Sequence, residues 1–271
     1  MSKVLRRYWP FTSHGLKVLL TYRMSFLMML ITNALTLAIQ LYLWRAIYAG
    51  ETDLRLGDFV LAEMTTYLLV GNVLHILLEN RVEHEVAGEV IHGDIAINFI
   101  RPLSYVTLKL FTSLPVTITN LVLVAIPLLV LFILPLKLGL MWPRAGDFFL
   151  FMISAIFSLG TSFFINFLVG LASFWTTNIW GIQVLKGGVS NFFSGFLIPL
   201  SFLGGGVAVI AEVLPFRSLI YSPLRILLGK YSGIGELAAI FGFQILWLVA
   251  LWLLVQFVLR RATYRLEVLG G

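Results

Sequence analysis

The chain has 271 residues, 59% hydrophobic and 12% charged, with a net charge of +6, a mean hydropathy of +0.96 and no cysteine. A soluble domain carries about 25% charged residues, so an ordinary soluble fold is excluded, and the absent cysteine excludes disulfides, thiol catalysis and cysteine-based metal sites. The positive balance lies in short segments between apolar runs, where it sets membrane orientation rather than nucleic-acid affinity.

Residues 2–20, SKVLRRYWPFTSHGLKVLL, interleave Tyr8, Trp9 and Phe11 with Lys3, Arg6 and Arg7. That mixture suits a segment lying in the membrane interface, with rings at headgroup depth and cations toward anionic lipid. The first long apolar run starts only near Met24 and shows no small-residue cleavage site, so it reads as a retained span rather than a signal peptide. About 20 apolar residues cross a bilayer. The predicted spans are Met24 to Trp44, Phe59 to Leu78, a third within Leu110 to Leu136, and Phe148 to Trp175. Pro115, Pro127 and Pro135 should kink or end the third.

After the connecting stretch TTNIWGIQVLKGG, a short fifth span is predicted over Val189 to Leu203, interrupted by Gly195 and Pro199 and closing on Gly204 to Gly206. Such a run reads as a broken helix. The stretch Val207 to Leu228 is long enough to cross but carries Glu212, Arg217 and Arg225 with Pro215 and Pro223. A central charge costs about 2.5–3.5 kcal/mol on the insertion scale, so this stretch is expected as two short helices that dip in and return on one side. The last span is Leu237 to Leu259, with the basic tail RRATYRLEVLGG beyond it.

Six spans place both termini on one side, together with twelve of the nineteen basic residues, among them Arg81, Arg101, Lys109, Lys186, Arg260 and Arg261. By the positive-inside rule that side is cytoplasmic. The expected class is therefore an all-α polytopic membrane protein, one permease domain over residues 1–271. Its parts are a cytoplasmic interfacial segment (1–23), a cytoplasmic loop (79–109), an outer re-entrant region (204–236) and a cytoplasmic tail (260–271).

The segment Glu79 to Leu103 holds five of the thirteen acidic residues, Glu79, Glu83, Glu85, Glu89 and Asp94. Val82, Val86 and Val90 recur at i, i+4 and i+8, which predicts an amphipathic helix in its first half. In the second span Asn72, His75 and Glu79 share one helical face near its cytoplasmic end. Such a stripe either lines a transport path or hydrogen-bonds between helices. An ion- or proton-coupled secondary transporter using Glu63 or this stripe is one function these residues allow. No phosphate-binding loop is present, and none of His14, His75, His84 and His92 has metal-ligand or nucleophile spacing. No catalytic residue and no metal site is expected.

Three stretches carry a resemblance: EVAGEVIHGDIAINFIRPL from Glu85 to Leu103; SGFLIPLSFL from Ser194 to Leu203, with Leu214 to Phe216 and Ser222–Pro223 after it; and the basic tail ending in Gly270–Gly271. Together they resemble the membrane subunits of type-2 ABC exporters, in the branch of short six-span permeases. The resemblance implies that Glu85 to Pro102 forms a coupling helix docking on a separate ATPase, with Glu85, Gly88, Glu89, Gly93, Asp94, Arg101 and Pro102 at that contact. It also implies that the broken fifth span and the returning helices cap the outer end of the pathway, for which the candidate lining residues are Gly195 and Pro199 together with the Asn72, His75 and Glu79 stripe read above. Further implications are a core of two permeases, identical or related, and two ATPases that bind the ATP and Mg. The chain itself binds no cofactor, and the setting is the cytoplasmic membrane of a prokaryote. Gly204 to Gly206 departs from relatives, which often carry Pro and Trp there.

Overall fold

The computed structural model describes residues 9–14, 23–48, 54–100, 103–136, 140–176 and 178–269, and among them every element longer than a single bridge is helical. Among the described residues, 9–14 are helical, and from Arg23 onward the α-helices are α1 (Arg23–Ile47), α2 (Leu61–Leu78), α3 (Val82–His92), α4 (Ile95–Ile100), α5 (Tyr105–Asn120), α6 (Ile126–Leu136), α7 (Ala145–Leu171), α8 (Trp180–Phe193), α9 (Gly205–Val213), α10 (Tyr221–Leu227) and α11 (Ile234–Leu269). The stretches Met24–Ile47, Leu61–His92, Tyr105–Ile133, Ala145–Phe174 and Ile234–Ala262 are each long and apolar enough to cross a membrane. The chain is an all-α, multi-pass membrane protein.

Pro115 and Pro127 stay within the helical run of the third span, whose crossing stretch ends at Ile133 beside Pro135, and the departure from expectation lies in the fifth span. Pro127 cannot donate a backbone hydrogen bond, and Leu121–Ala125 forms a π turn in which the Ile126 amide bonds back to the Leu121 carbonyl. That widened turn carries the helix past Pro127 into α6. The fifth span is displaced toward the N-terminus: α8 already starts at Trp180, within the stretch expected as a loop, and ends at Phe193. Gly195 takes a left-handed φ of +84°, and the chain from Ser194 to Pro199 is irregular.

Contacts fix where each segment lies. Lys186, in α8, meets Glu83 of α3, whereas the Phe202 ring beyond α8 lies 5.3 Å from Trp44 and 6.2 Å from Phe59 at the other end of the bundle. Residues 180–202 therefore run from the α3 end to the opposite end. The bent pair Gly205–Val213 and Pro215–Leu227, which turns through 67°, starts and finishes at that opposite end. Phe202 precedes it there, and Lys230 follows it, pairing with Glu63 at 2.8 Å and lying over the Phe59 ring. Its midpoint is deeper, where the Ser218 carbonyl accepts from Ser158 and Gln244 and the Val213 carbonyl from Trp247. Both ends of the pair thus lie at one end of the bundle, the arrangement of a re-entrant hairpin.

The largest apolar core joins α1, α2, α6, α7 and α10 around Leu37, Leu41, Met64, Tyr67, Leu74, Val124 and Leu224. A second core seats α3, with Val82 and Val86 wholly buried against Phe163, Phe167 and Leu171 of α7 and Tyr105 of α5. The approach of α3 to α7 depends on a glycine. A Cβ at Gly170 would stand 2.8 Å from the Val86 Cβ and 3.0 Å from the Glu83 carbonyl oxygen.

Gly170→Ala should therefore lower stability by about 1–3 kcal/mol through overpacking, read as a fall in melting temperature in lipid nanodiscs. Gly188→Ala, where nothing lies within 4 Å, should be neutral or stabilising by up to about 1 kcal/mol.

Candidate functional site

Two regions gather the polar side chains at the α3 end, a helical hairpin and a cavity. The hairpin is α3, a left-handed turn at Gly93 (φ +82°) and α4. Glycine is the residue suited to that turn, because a side chain there would meet its own backbone. The stem of the hairpin is closed by charge. Lys109 of α5, 5% exposed, lies 3.2 Å from a Glu85 oxygen and 2.8 Å from a Glu89 oxygen. Tyr105 donates to Glu89 at 2.6 Å. Glu83, 7% exposed, faces another way and meets Lys186 of α8 at 2.8 Å. Lys186 also donates to the Asn166 side-chain oxygen of α7 at 2.8 Å.

The tip is different. Ile91 (52% exposed), His92, Gly93, Asp94, Ala96 and Ile97 (57%) all face outward, while Ile95 and Asn98 turn inward and hold α4 down. The residues named from the sequence thus divide. Gly93 and Asp94 are on the exposed tip. Glu85 and Glu89 are turned into the stem, and Gly88, whose carbonyl meets the His92 ring at 2.7 Å, lies on the outer side of α3. Arg101 and Pro102 lie outside the described residues.

The cavity, about 580 Å³, opens beside the hairpin between α1, α2, α5, α7 and α8, with Leu219 and Ile220 of the re-entrant hairpin at its inner end. Its wall is mixed: Glu79, Arg81, Glu83 and Lys186 supply charge, Phe26, Met29, Val116 and Ile165 apolar surface, and Asn120, Asn166, Ser162, Ser190 and Asn191 neutral polar groups. Several of these polar groups are already engaged: Asn120 donates to the Ile76 carbonyl at 3.1 Å and Ser162 to the Leu78 carbonyl at 2.9 Å. This brackets the end of α2, whose last carbonyls have no helical partner of their own.

Of the residues read from the sequence as a path, His75 and Glu79 line the cavity, 3.9 Å apart. Asn72 does not, because its amide donates to Gln40 of α1 at 2.7 Å and to the Leu68 carbonyl at 2.8 Å. Gly195 and Pro199 sit above the cavity in the irregular stretch. There the Gly195 carbonyl accepts from Tyr67 at 2.6 Å, and Phe196 stacks on His75 with centroids 4.0 Å apart.

The sequence reading passed over Lys186, Ser190, Asn191 and Ser194, all on the wall. Their spacing of four, one and three residues is a polar stripe at helical period, visible once residues 180–193 are taken as helix. Asn120 and Asn166, each isolated in an apolar run, carry no comparable signal. At the opposite end the ionic contacts fasten loops. Arg225 pairs with Glu236, and Asp147 accepts from Tyr231, a bond that pushes the phenol pKa up. No cluster of three or more His, Asp or Glu suited to a metal occurs among the described residues.

A sequence model of the family described as ABC-2 family transporter protein matches residues 20–270. A search of curated proteins returned no match.

Removing a buried pair's partner leaves a charge unsatisfied, at a cost of about 3–5 kcal/mol when both are fully buried. Glu85 is about one third exposed, so Lys109→Met is expected to cost about 2 kcal/mol after allowance for solvent. The check is hydrogen–deuterium exchange, which should speed up along residues 82–92 and not along α9.

Proposed function

The chain belongs to the ABC-2 transporter family, and from that membership we propose that it is the permease subunit of an ATP-driven exporter. In this reading it is one transmembrane permease domain that works with separate ATP-binding cassette subunits and with a second permease, either another copy or a relative. ATP and Mg are bound by the partner ATPases, and this chain holds no cofactor. The α3 end, with most of the basic residues, faces the cytoplasm of a prokaryotic cell. Both termini lie on that side.

The observation that carries the reading is the contrast within the α3–α4 hairpin. Its stem is fixed to α5 through Lys109 and to α7 through the Gly170 contact, so a push on the tip is passed to two membrane helices as a rigid-body movement. Its tip leaves Ile91, His92, Asp94, Ala96 and Ile97 exposed. Two large aliphatic side chains flanking an acidic turn are suited to a groove on a soluble partner: apolar burial gives affinity and Asp94 gives register. Glu85 and Glu89 then act by holding the stem, not by touching the ATPase. The cavity, whose wall carries both charged and apolar side chains, suits an amphipathic cargo.

The test is purification of the membrane chain with the ATPase encoded beside it. Ile91→Asp with Ile97→Asp should weaken association by about 30-fold or more, the loss expected of an interface anchor. The melting temperature of the membrane chain alone should stay unchanged. Undiminished co-purification of the doubly substituted chain would place the docking surface elsewhere.

A further inference from the structure

Helix α8 is peculiar in this bundle. It forms one wall of the cavity through Lys186, Gly187, Ser190 and Asn191, yet none of its fourteen residues is buried. Within this chain the specific tertiary bonds that position α8 are at two places. Beyond its C-terminus the Ser194 carbonyl accepts from the Tyr221 amide at 2.9 Å, and the Gly195 carbonyl accepts from Tyr67. A Cβ at Gly195 would lie 2.7 Å from the Tyr67 hydroxyl oxygen and 3.0 Å from the Tyr221 Cβ, so this is a tight pivot. Nearer its N-terminus the anchor is Lys186, held between Glu83 of α3 and Asn166 of α7.

We propose that the Glu83–Lys186 ion pair is a latch, through which the docking hairpin sets the position of α8 and so controls access to the cavity. The inference rests on the docking reading above only for what moves α3; the latch itself is a property of this chain. Three features support it. Glu83 and Lys186 belong to different helices, and their side chains are 9% and 21% exposed. Neither charge has solvent enough to stand alone, so the pair tends to move together. The carbonyl of Glu83 packs on Gly170, so the carboxylate reports the position of the hairpin stem against α7. Gly187 and Gly188, next to Lys186 and with open space around both, make α8 easy to bend there. Displacement of α3 draws Lys186 from Asn166, and α8 swings about Gly195. The cavity wall formed by α8 then parts from the wall formed by Ser162 and Ile165 of α7. Glu79 and Arg81 also line this end of the cavity, and the nearby Glu79 carboxylate offers Lys186 an alternative partner once Glu83 withdraws. Glu83 and Lys186 are thus positioning residues for transport.

Because the chain has no cysteine, access to the cavity can be read from one introduced thiol. Ser162→Cys puts it on the α7 wall, at a position that is buried in the latched state. The chain is reconstituted in lipid nanodiscs without any ATPase, and the rate of modification by a charged maleimide is measured. Glu83→Gln and Lys186→Gln should each raise that rate by about tenfold. Glu83→Lys combined with Lys186→Glu should return it to within about twofold of the parent. Rates that stay at the parental value in both single variants would overturn the latch, and so would a charge-exchanged chain as reactive as the single variants. If a single variant does not fold, the charge-exchanged chain is compared with the doubly neutral Glu83→Gln, Lys186→Gln chain, which must be the more reactive of the two. Ile91→Asp with Ile97→Asp should leave the modification rate unchanged. A failure of the docking reading would thus appear only in co-purification, and a failure of the latch only here.

Discussion

A cation inside a membrane bundle must find its counter-charge within the protein, and the arrangement of this chain at the α3 end follows from that requirement. Lys109 and Lys186 both sit on helices within the bundle, where water screens poorly and an unpaired charge costs several kcal/mol. Each reaches the same short helix: Lys109 takes Glu85 and Glu89, and Lys186 takes Glu83. Three carboxylates within seven residues of one helix thus bind it to α5 on one side and α8 on another. Apolar packing of Val82 and Val86 against α7 adds the third side.

This division explains why one hairpin can be both anchored and available. An amphipathic helix buries one stripe and exposes the rest, but here the acidic residues, which would ordinarily be the solvated face, are consumed by internal pairs. The surface left to solvent includes the last turn of α3, the turn at Gly93 and the outer side of α4, where Ile91 and Ile97 stand out. Two exposed isoleucines beside an acidic turn are costly in water and useful at an interface. In the proposed function the anchored stem and exposed tip act together as a lever, and the cavity lies where α3 meets α8.

The opposite end obeys the same rule with other means. Irregular backbone at membrane depth is tolerated only where protein groups satisfy it. The Tyr67 hydroxyl bonds the Gly195 carbonyl, and Gln244 and Ser158 bond the Ser218 carbonyl. Lys230 fastens the return of the re-entrant hairpin to Glu63 and to the Asp58 carbonyl. Within 207–228, Arg225 pairs with Glu236 and Arg217 donates to the Glu212 carbonyl, so neither guanidinium has to face lipid alone. By contrast α1 and α11 present long apolar faces, with Leu35, Ile39, Leu246 and Leu253 exposed, as helices do when their solvent is hydrocarbon.

Length, hydropathy and turn chemistry by themselves determined that this is a helical membrane protein, where five of its long apolar helices run, and that 207–228 is broken into two short helices. Those properties depend on the free energy of moving consecutive residues from water to lipid, which is a local sum. The i, i+4, i+8 valines likewise announced α3, and family resemblance in the primary sequence pointed to its role. Tertiary structure alone decided that all three acidic residues on α3 are held in internal pairs, because a carboxylate's partner is chosen by distance in space and Lys109 and Lys186 lie 20 or more positions away. It also decided that Asn72 serves α1 while His75 and Glu79 face the cavity, a distinction that a 60° stripe on one helix does not contain. The start of α8 at Trp180 escaped a reading by hydropathy for a related reason: its polar stripe faces a cavity wall, so the segment has the composition of a loop and the geometry of a wall.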